Sequence, residues 1–125
     1  MQDFRNLWVW QKSHKLTLQT YAVSSTIKQP AYYTLRDQLT RAAIWIPANL
    51  AEGCGRTGDR DLRRFVRIAL GSASELEYHL LLARDLGILP APVYQQLTTA
   101  VVEVKRMLSG FASHLSEQIK RSESN

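Results

Sequence analysis

The residues best suited to chemistry in this sequence are arginines that gather in one short stretch. Five of them, accompanied by two aspartates and no lysine, lie in residues 56–67: Arg56, Arg60, Arg63, Arg64 and Arg67. A guanidinium group can bind a phosphate through two parallel hydrogen bonds, which a lysine ammonium cannot. The last four arginines are three or four residues apart, so on a helix they share one face. The stretch predicts phosphate binding, and an ordinary solvated helix face is the alternative.

Three further cations are predicted to contribute to the same phosphate-binding function. Lys12 and Lys15 lie in the first helical segment and Arg41 in the second, and the sequence does not place them on the same side as the arginines. Sixteen Lys and Arg against eleven Asp and Glu give a net charge of +5. This bias permits an acidic partner such as RNA or DNA.

Catalytic and metal-binding patterns have little support in the sequence. The three histidines fall on three separate helical segments, and the repeated Glu-x-x-His pairs of a di-iron bundle are missing. Ser72, Glu75 and His79 form a polar line beside the seam of the third segment. This line fits either a buried network or a contact between subunits. We expect no catalytic residue, no metal and no cofactor, and therefore no enzyme.

A glycine-rich turn occupies residues 53–58, where Gly53, Gly55 and Gly58 match the spacing Gly-x-Gly-x-x-Gly. The dinucleotide-binding motif of that spacing needs a strand before the loop, and here a helical segment precedes it, which excludes the motif. Two interpretations stay open: a phosphate held at the start of the following helix, or a helix C-cap with a tight turn. Cys54 lies in this turn near Arg56, and positive surroundings favour a lowered thiol pKa.

The elements that position these residues are all predicted to be helices. Apolar residues recur every three or four positions, and no segment alternates as a half-buried strand does. The third segment is clearest, with a heptad seam at Leu62, Val66, Ala69, Ala73, Leu76, Leu80, Ala83 and Gly87. Asp59 is its expected N-cap and Gly87 the residue after its C-cap. The first segment covers about residues 7–27, with Trp10, His14, Thr17, Tyr21 and Ser24 as its expected seam.

Short connections between four helical segments predict an all-α fold, an antiparallel up-down-up-down four-helix bundle. The 125 residues fit one domain, 1–125, with an ordered core over about 5–120 and a frayed tail from Lys120. Pro47 interrupts the second segment and frees the carbonyl of Ala43. We predict a continuous but kinked helix, with Asn49 or a water bonded to that carbonyl. Gly71 is expected to allow a close backbone approach.

The chain has more apolar surface than one bundle can bury. Trp8 and Trp10 are about 200° apart around a helix, so one of them must point outward. Trp45 lies about 100° from the buried seam of the second helix. We therefore expect a homo-oligomer, with Trp8 and Trp45 in its interface. Ser72, Glu75 and His79 are candidate members of the same interface.

The sequence lacks features that would direct the chain to a membrane. Its longest weakly polar stretch is about ten residues, against the roughly 20 that cross a bilayer. The N-terminus has no basic segment followed by an apolar run, and the single cysteine cannot form an intrachain disulfide. The expected location is the cytoplasm.

Several motifs resemble one family of small bacterial proteins. They lie in residues 3–5, 9–12, 39–43, 46–53, 65, 68–72, 74–77 and 83–87, with Pro-x-Asn-x-Ala-Glu-Gly and Ala-x-Gly-Ser-x-x-Glu-Leu-Glu as the most specific. With these motifs the chain resembles the four-helix-bundle proteins encoded in intervening sequences of bacterial large-subunit ribosomal RNA genes. The fourth helix matches that family only in length and pattern.

The resemblance extends to the accessory variability determinant of diversity-generating retroelements. It implies a homopentamer that binds RNA or DNA as a non-enzymatic accessory protein. It also implies an alternative function, an adaptor that contacts a partner enzyme such as a reverse transcriptase without itself binding nucleic acid. Of the cations named above, Lys12 and Arg41 lie inside motifs that carry the resemblance.

Overall fold

A computed structural model describes residues 2–124 of the chain. It contains four long helices: α1 Trp8–Ser24, α2 Tyr33–Cys54, α3 Asp59–Asp85 and α4 Ala91–Ser124. Short 3-10 turns precede the first two, at Phe4–Asn6 and Pro30–Tyr32. No strand occurs between residues 2 and 124. The all-helical prediction is confirmed for this part of the chain.

The four helices pack around one core, and each contacts two others. α2 lies against α1 and α3, and α4 lies against α3 and α1. Every residue of the predicted α3 seam from Leu62 to Ala83 is buried. On α4 the same spacing of three and four residues runs through Leu97, Val101, Val104 and Leu108, and these residues are also buried. The period of three and four residues therefore predicts the core correctly in these two helices.

The buried face of α1 differs from the expected one. His14 and Tyr21 are exposed, whereas Val9, Ser13, Leu16, Thr17, Thr20 and Ser24 are buried. Three of these hydroxyl groups bond to backbone carbonyls, as Thr20 Oγ1 does in donating to the Leu16 oxygen at 2.8 Å, whereas the Ser24 hydroxyl has no partner among the described residues. The predicted buried face is therefore displaced around the helix from the observed one. Aromatic residues of α1 lie on its outer side, and residues with hydroxyl groups lie in the core.

The ends of α3 confirm one expected cap and correct the other. Gly87 has φ +74°, and the amides of Gly87 and Ile88 donate to the carbonyls of Arg84 and Ala83. This is a Schellman motif, as the glycine predicted. At the other end the N-cap is Gly58, with φ +94°, and Asp59 is the first helical residue. The expected Asp59 cap was wrong by one position.

α2 runs without interruption through Pro47. The proline has no N–H for the carbonyl of Ala43, and Thr17 of α1 supplies a donor instead, with Oγ1 3.0 Å from that oxygen. Asn49 does not serve this purpose, because its Nδ2 donates to the Trp45 carbonyl at 2.7 Å. The prediction of a continuous helix is confirmed, the kink stays a prediction, and the expected role of Asn49 was wrong.

The close approach between helices occurs at Gly53, not at Gly71. A Cβ on Gly53 would lie 2.9 Å from Phe65 Cβ and 3.0 Å from Leu62 Cδ1. A Cβ on Gly71 would meet nothing within 4 Å. Gly53 therefore allows α2 to contact α3 closely just before the turn, while Gly71 lies on the exposed face of α3.

The C-terminal helix extends beyond Lys120, where fraying is expected. α4 continues to Ser124, and Glu123 forms an ion pair with Arg60 at the start of α3. This contact between the two helices explains the additional turn. Within residues 2–124, none of the helices combines the length and hydropathy required to cross a bilayer.

Candidate nucleic-acid interface

The structure brings four of the predicted phosphate-binding residues onto one surface. Arg60, Arg63, Arg64 and Arg67, together with Ile68, line a shallow depression on α3, and we call these four arginines the arginine patch. The helix positions them because their spacing of three and four residues matches its period, and because the opposite face holds the buried seam. The sequence prediction that they share one face is confirmed.

The guanidinium groups of the arginine patch differ in their partners. Arg60 pairs with Glu123, and the Arg64 Nε is 3.7 Å from an oxygen of Asp61. Arg63 donates from Nη1 to the hydroxyl of Ser116 at 3.0 Å, which leaves its charge uncompensated. Arg67 has no carboxylate within 4.0 Å among residues 2–124 and is exposed. Two of the four charges are therefore free to attract an anion.

Arg56 is joined to the arginine patch through an aromatic ring. Its guanidinium carbon lies 5.2 Å from the ring centroid of Phe65, and that of Arg64 lies 4.4 Å from the same centroid. Arg56 is also 3.4 Å from Glu52 at the end of α2. The glycine turn thus places Arg56 at the margin of the patch, partly neutralised.

The other predicted cations lie elsewhere on the molecule. Lys12 and Lys15 line a groove between α1 and α4, where the Lys12 Nζ is 3.1 Å from Glu103. Arg41 is exposed on the outer side of α2, turned away from the buried face around Ile46. These three residues are not brought together with the arginine patch.

Two cations that sequence reasoning missed lie along the same pair of helices as the arginine patch. Lys105 and Arg106 of α4 line a depression with Val102 and Ser109. Lys105 donates from Nζ to Glu77 of α3 at 2.8 Å, whereas Arg106 has no carboxylate within 4.0 Å among the described residues. The sequence around these two cations does not indicate that they belong to this surface, because only the packing of α4 on α3 brings them to this side.

The predicted interface aromatics are exposed on the single chain. Trp8 exposes 68% of its surface and Trp45 exposes 49%. Trp10 is half-buried and packs against Phe4 and His14, with centroid distances of 4.9 Å to each. Trp8 is therefore the outward member of the pair, as the 200° separation requires of one of them.

The polar line on α3 is partly a hydrogen-bonded pair. His79 Nε2 lies 3.4 Å from Glu75 Oε1, while the Ser72 hydroxyl donates to the Ile68 carbonyl at 3.2 Å. Nδ1 of His79 is buried and has no hydrogen-bond partner among residues 2–124. The three residues do not form a hydrogen-bonded triad, since Ser72 bonds only to its own helix.

The glycine turn has the structure of a helix end. The Gly55 amide donates to the carbonyls of Ala51 and Glu52, so the turn closes α2. The depression at the start of α3 is lined by Asp59, Asp61 and Glu123, which would repel a phosphate. The C-cap interpretation is therefore favoured over phosphate binding at this helix terminus.

The expected lowering of the Cys54 thiol pKa was wrong. Cys54 is buried, and burial raises its pKa, with a smaller upward contribution from the negative charge of Asp3. Burial removes water from the thiolate, which disfavours the charged form. Among residues 2–124, no three side chains of His, Cys, Asp or Glu gather as a metal site.

Two comparisons relate the chain to known proteins. The family model of the 23S rRNA-intervening sequence protein matches residues 5–110. A crystal structure from Bacteroides thetaiotaomicron VPI-5482, described as a protein of unknown function from the S23 ribosomal protein family, is similar in fold with a TM-score of 0.79. The two sequences are 21% identical, and the similarity covers 84% of this chain and 95% of that one. No functionally curated protein matches. Because the family model spans most of its length, the chain belongs to the 23S rRNA-intervening sequence protein family.

Proposed function

We propose that this protein is a non-enzymatic, cytoplasmic accessory protein that binds RNA or DNA through phosphate contacts. The observation that supports this most directly is the arginine patch, in which four guanidinium groups share one depression. Arginine is suited to this because its planar donors match the oxygens of a phosphate. Contacts to phosphates alone carry no base information, so we expect little sequence preference.

The electrostatics favour a polyanion over a single small anion. Arg63 lies three residues from Arg60, and Arg67 lies three residues from Arg64. The carboxylates that pair with Arg60 and Arg64 are at least partly exposed and therefore weakly held. A chain of phosphates can contact several such guanidinium groups at once and release its condensed counterions. One phosphate could engage only one or two of them.

The test exchanges the charge of the arginine patch. A variant with Arg60, Arg63, Arg64 and Arg67 all changed to Glu is compared with the wild type by fluorescence anisotropy on a labelled oligonucleotide at low salt. The matched control reverses four exposed cations that belong neither to the arginine patch nor to the other predicted binding residues: Arg5, Lys28, Arg84 and Arg121. Both variants exchange four positive charges for four negative ones, so their net charges are equal.

The proposal expects the patch variant to lose binding and the control to keep most of it. Equal binding by the patch variant and the wild type would refute it. Equal loss in both variants would mean that net charge, not this surface, attracts the nucleic acid. Circular dichroism of each variant verifies that the helices persist.

We also propose that the protein assembles as a homo-oligomer, a pentamer by analogy with the accessory variability determinant. The exposed Trp8, Trp45 and Ile44 support this, because contact with another copy of the chain would remove their apolar surface from water. Light scattering is expected to give a mass near five times the 14.2 kDa of one chain. A mass of one chain would refute the assembly.

We also propose that successive helices of the bundle run in opposite directions. Ion pairs and hydrogen bonds join Arg60 to Glu123, Arg63 to Ser116 and Glu77 to Lys105. Residue numbers rise along α3 while those of the partners fall along α4. This supports an antiparallel course for the pair, as the short connections predict for the whole bundle.

The second candidate is an adaptor for a partner enzyme such as a reverse transcriptase. It is favoured by the half-buried His79, whose Nδ1 lacks a partner and whose neighbour Glu75 is exposed. A protein that lacks any affinity for nucleic acid but binds a reverse transcriptase through Trp45 or His79 would favour this function. Trp45→Ser and His79→Ala are the variants that test it.

A further inference from the structure

One exposed face of α3 continues well beyond the arginine patch. Residues on this face are spaced alternately by four and by three positions. They are three arginines, two small residues and a tyrosine: Arg60, Arg64, Arg67, Gly71, Ser74 and Tyr78. All six are exposed. From Arg60 to Tyr78 the face is about 27 Å long at 1.5 Å per residue. We call these six residues the outer stripe of α3.

The tyrosine at the end of this stripe is available for stacking. Tyr78 exposes 57% of its surface. Its ring is tilted at 55° to that of His79, with the centroids 5.7 Å apart, and no other aromatic ring is paired with it among residues 2–124. The exposed face of a phenol ring is suited to stacking with a nucleic-acid base.

Positive charge is concentrated at one end of the path, where the arginine patch lies. Near the other end, Lys105 of α4 is paired with Glu77, the neighbour of Tyr78, and Arg106 lines the same depression as these two residues. Gly71 and Ser74, which lie between the arginines and Tyr78, are small residues, and a Cβ at Gly71 would have open space around it. No large side chain of the stripe therefore separates Arg67 from Tyr78.

We propose that the outer stripe of α3 binds a single strand of RNA or DNA, with phosphates on the arginines and one base stacked on Tyr78. This inference rests on the proposed nucleic-acid binding and specifies its substrate class. A duplex keeps its bases stacked on each other, so it can use the arginines but not the tyrosine. The combination of a positive path with an exposed ring is typical of sites for single strands.

The test compares Tyr78→Ala and Tyr78→Phe with the wild type. The probes are a labelled oligouridylate of about 12 nucleotides and a labelled duplex of mixed sequence and the same length. Stacking of one base predicts that Tyr78→Ala weakens single-strand binding by about fivefold to 150-fold. Tyr78→Phe keeps the ring and is expected to bind as the wild type does. Duplex binding should change less than twofold in either variant.

Each other outcome contradicts the inference in a recognisable way. Unchanged single-strand binding by Tyr78→Ala would overturn it while the proposed function stands. An equal loss on both probes would assign Tyr78 a role in backbone contact or in the fold. A change in mass by light scattering would make Tyr78 a contact between subunits. If the wild type binds neither probe, the proposed function itself fails.

Discussion

The hydrogen bond from Thr17 to Ala43 gives a quantitative test of how α2 accommodates its proline. Thr17 Oγ1 lies 3.0 Å from the Ala43 oxygen and 2.8 Å from that of Ser13. The Ser13 carbonyl already accepts the helical N–H of Thr17, whereas the Ala43 carbonyl has no N–H from Pro47. Thr17→Val therefore leaves only the Ala43 oxygen without a partner. Both residues are buried.

We expect Thr17→Val to lower the free energy of unfolding by about 1 to 3 kcal/mol, the cost of a buried polar group left unpaired. Thr20→Val is the matched control, because the Thr20 hydroxyl bonds only to a carbonyl of its own helix, that of Leu16. That carbonyl keeps its helical partner, so the control is expected to lose less than about 0.5 kcal/mol. Urea denaturation at one fixed protein concentration measures all three proteins.

A double-mutant cycle with Pro47→Ala isolates the cause. Alanine at position 47 restores an N–H that can donate to the Ala43 carbonyl, so Thr17→Val should then cost little. The expected coupling free energy is about 1 to 2 kcal/mol. Equal costs of Thr17→Val with and without the proline would refute the argument. A coupling below about 0.5 kcal/mol counts as equal.

Three further predictions concern packing, reactivity and assembly. Gly53→Ala should lower the free energy of unfolding by about 1 to 3 kcal/mol because of the contact with Phe65, whereas Gly71→Ala should raise it by up to about 1 kcal/mol. Urea denaturation measures both changes, and a change of the same sign in both variants would contradict the close contact at Gly53. Cys54 has a raised pKa, so at pH 7 its thiolate fraction lies below that of a free thiol. A thiol reagent should therefore label the native protein more slowly than the urea-unfolded protein, and equal labelling rates would contradict this. Trp45→Ser should lower the mass measured by light scattering, and an unchanged oligomer would remove Trp45 from the interface.

The helical periods predict the core where the helix is strongly amphipathic. The heptad of α3 and the apolar stripe of α4 identify their buried residues because large aliphatic side chains mark one face only. In α1 the same approach succeeded only in part, since Thr17 and Ser24 of the predicted seam are buried while His14 and Tyr21 are exposed. Hydroxyl groups satisfied by their own helix carry no hydrophobic signal.

The spacing of residues in the sequence does not predict which residues of different helices contact each other. The arginine patch is predictable, because its four members belong to one helix. The pairing of Lys105 with Glu77 is not, because it depends on the register of α4 against α3. The same holds for Thr17 and the Ala43 carbonyl, which are 26 residues apart, and for the contact that requires glycine at position 53.

The salt dependence of nucleic-acid binding by the wild type tests the central claim most directly. If the four guanidinium groups of the arginine patch contact four phosphates, log K plotted against log salt concentration has a slope of about −3.6 on duplex DNA and about −2.8 on a single strand. Between 50 and 200 mM salt, duplex affinity should then fall by about 150-fold. A slope near zero, or no binding at 50 mM salt, would contradict the account.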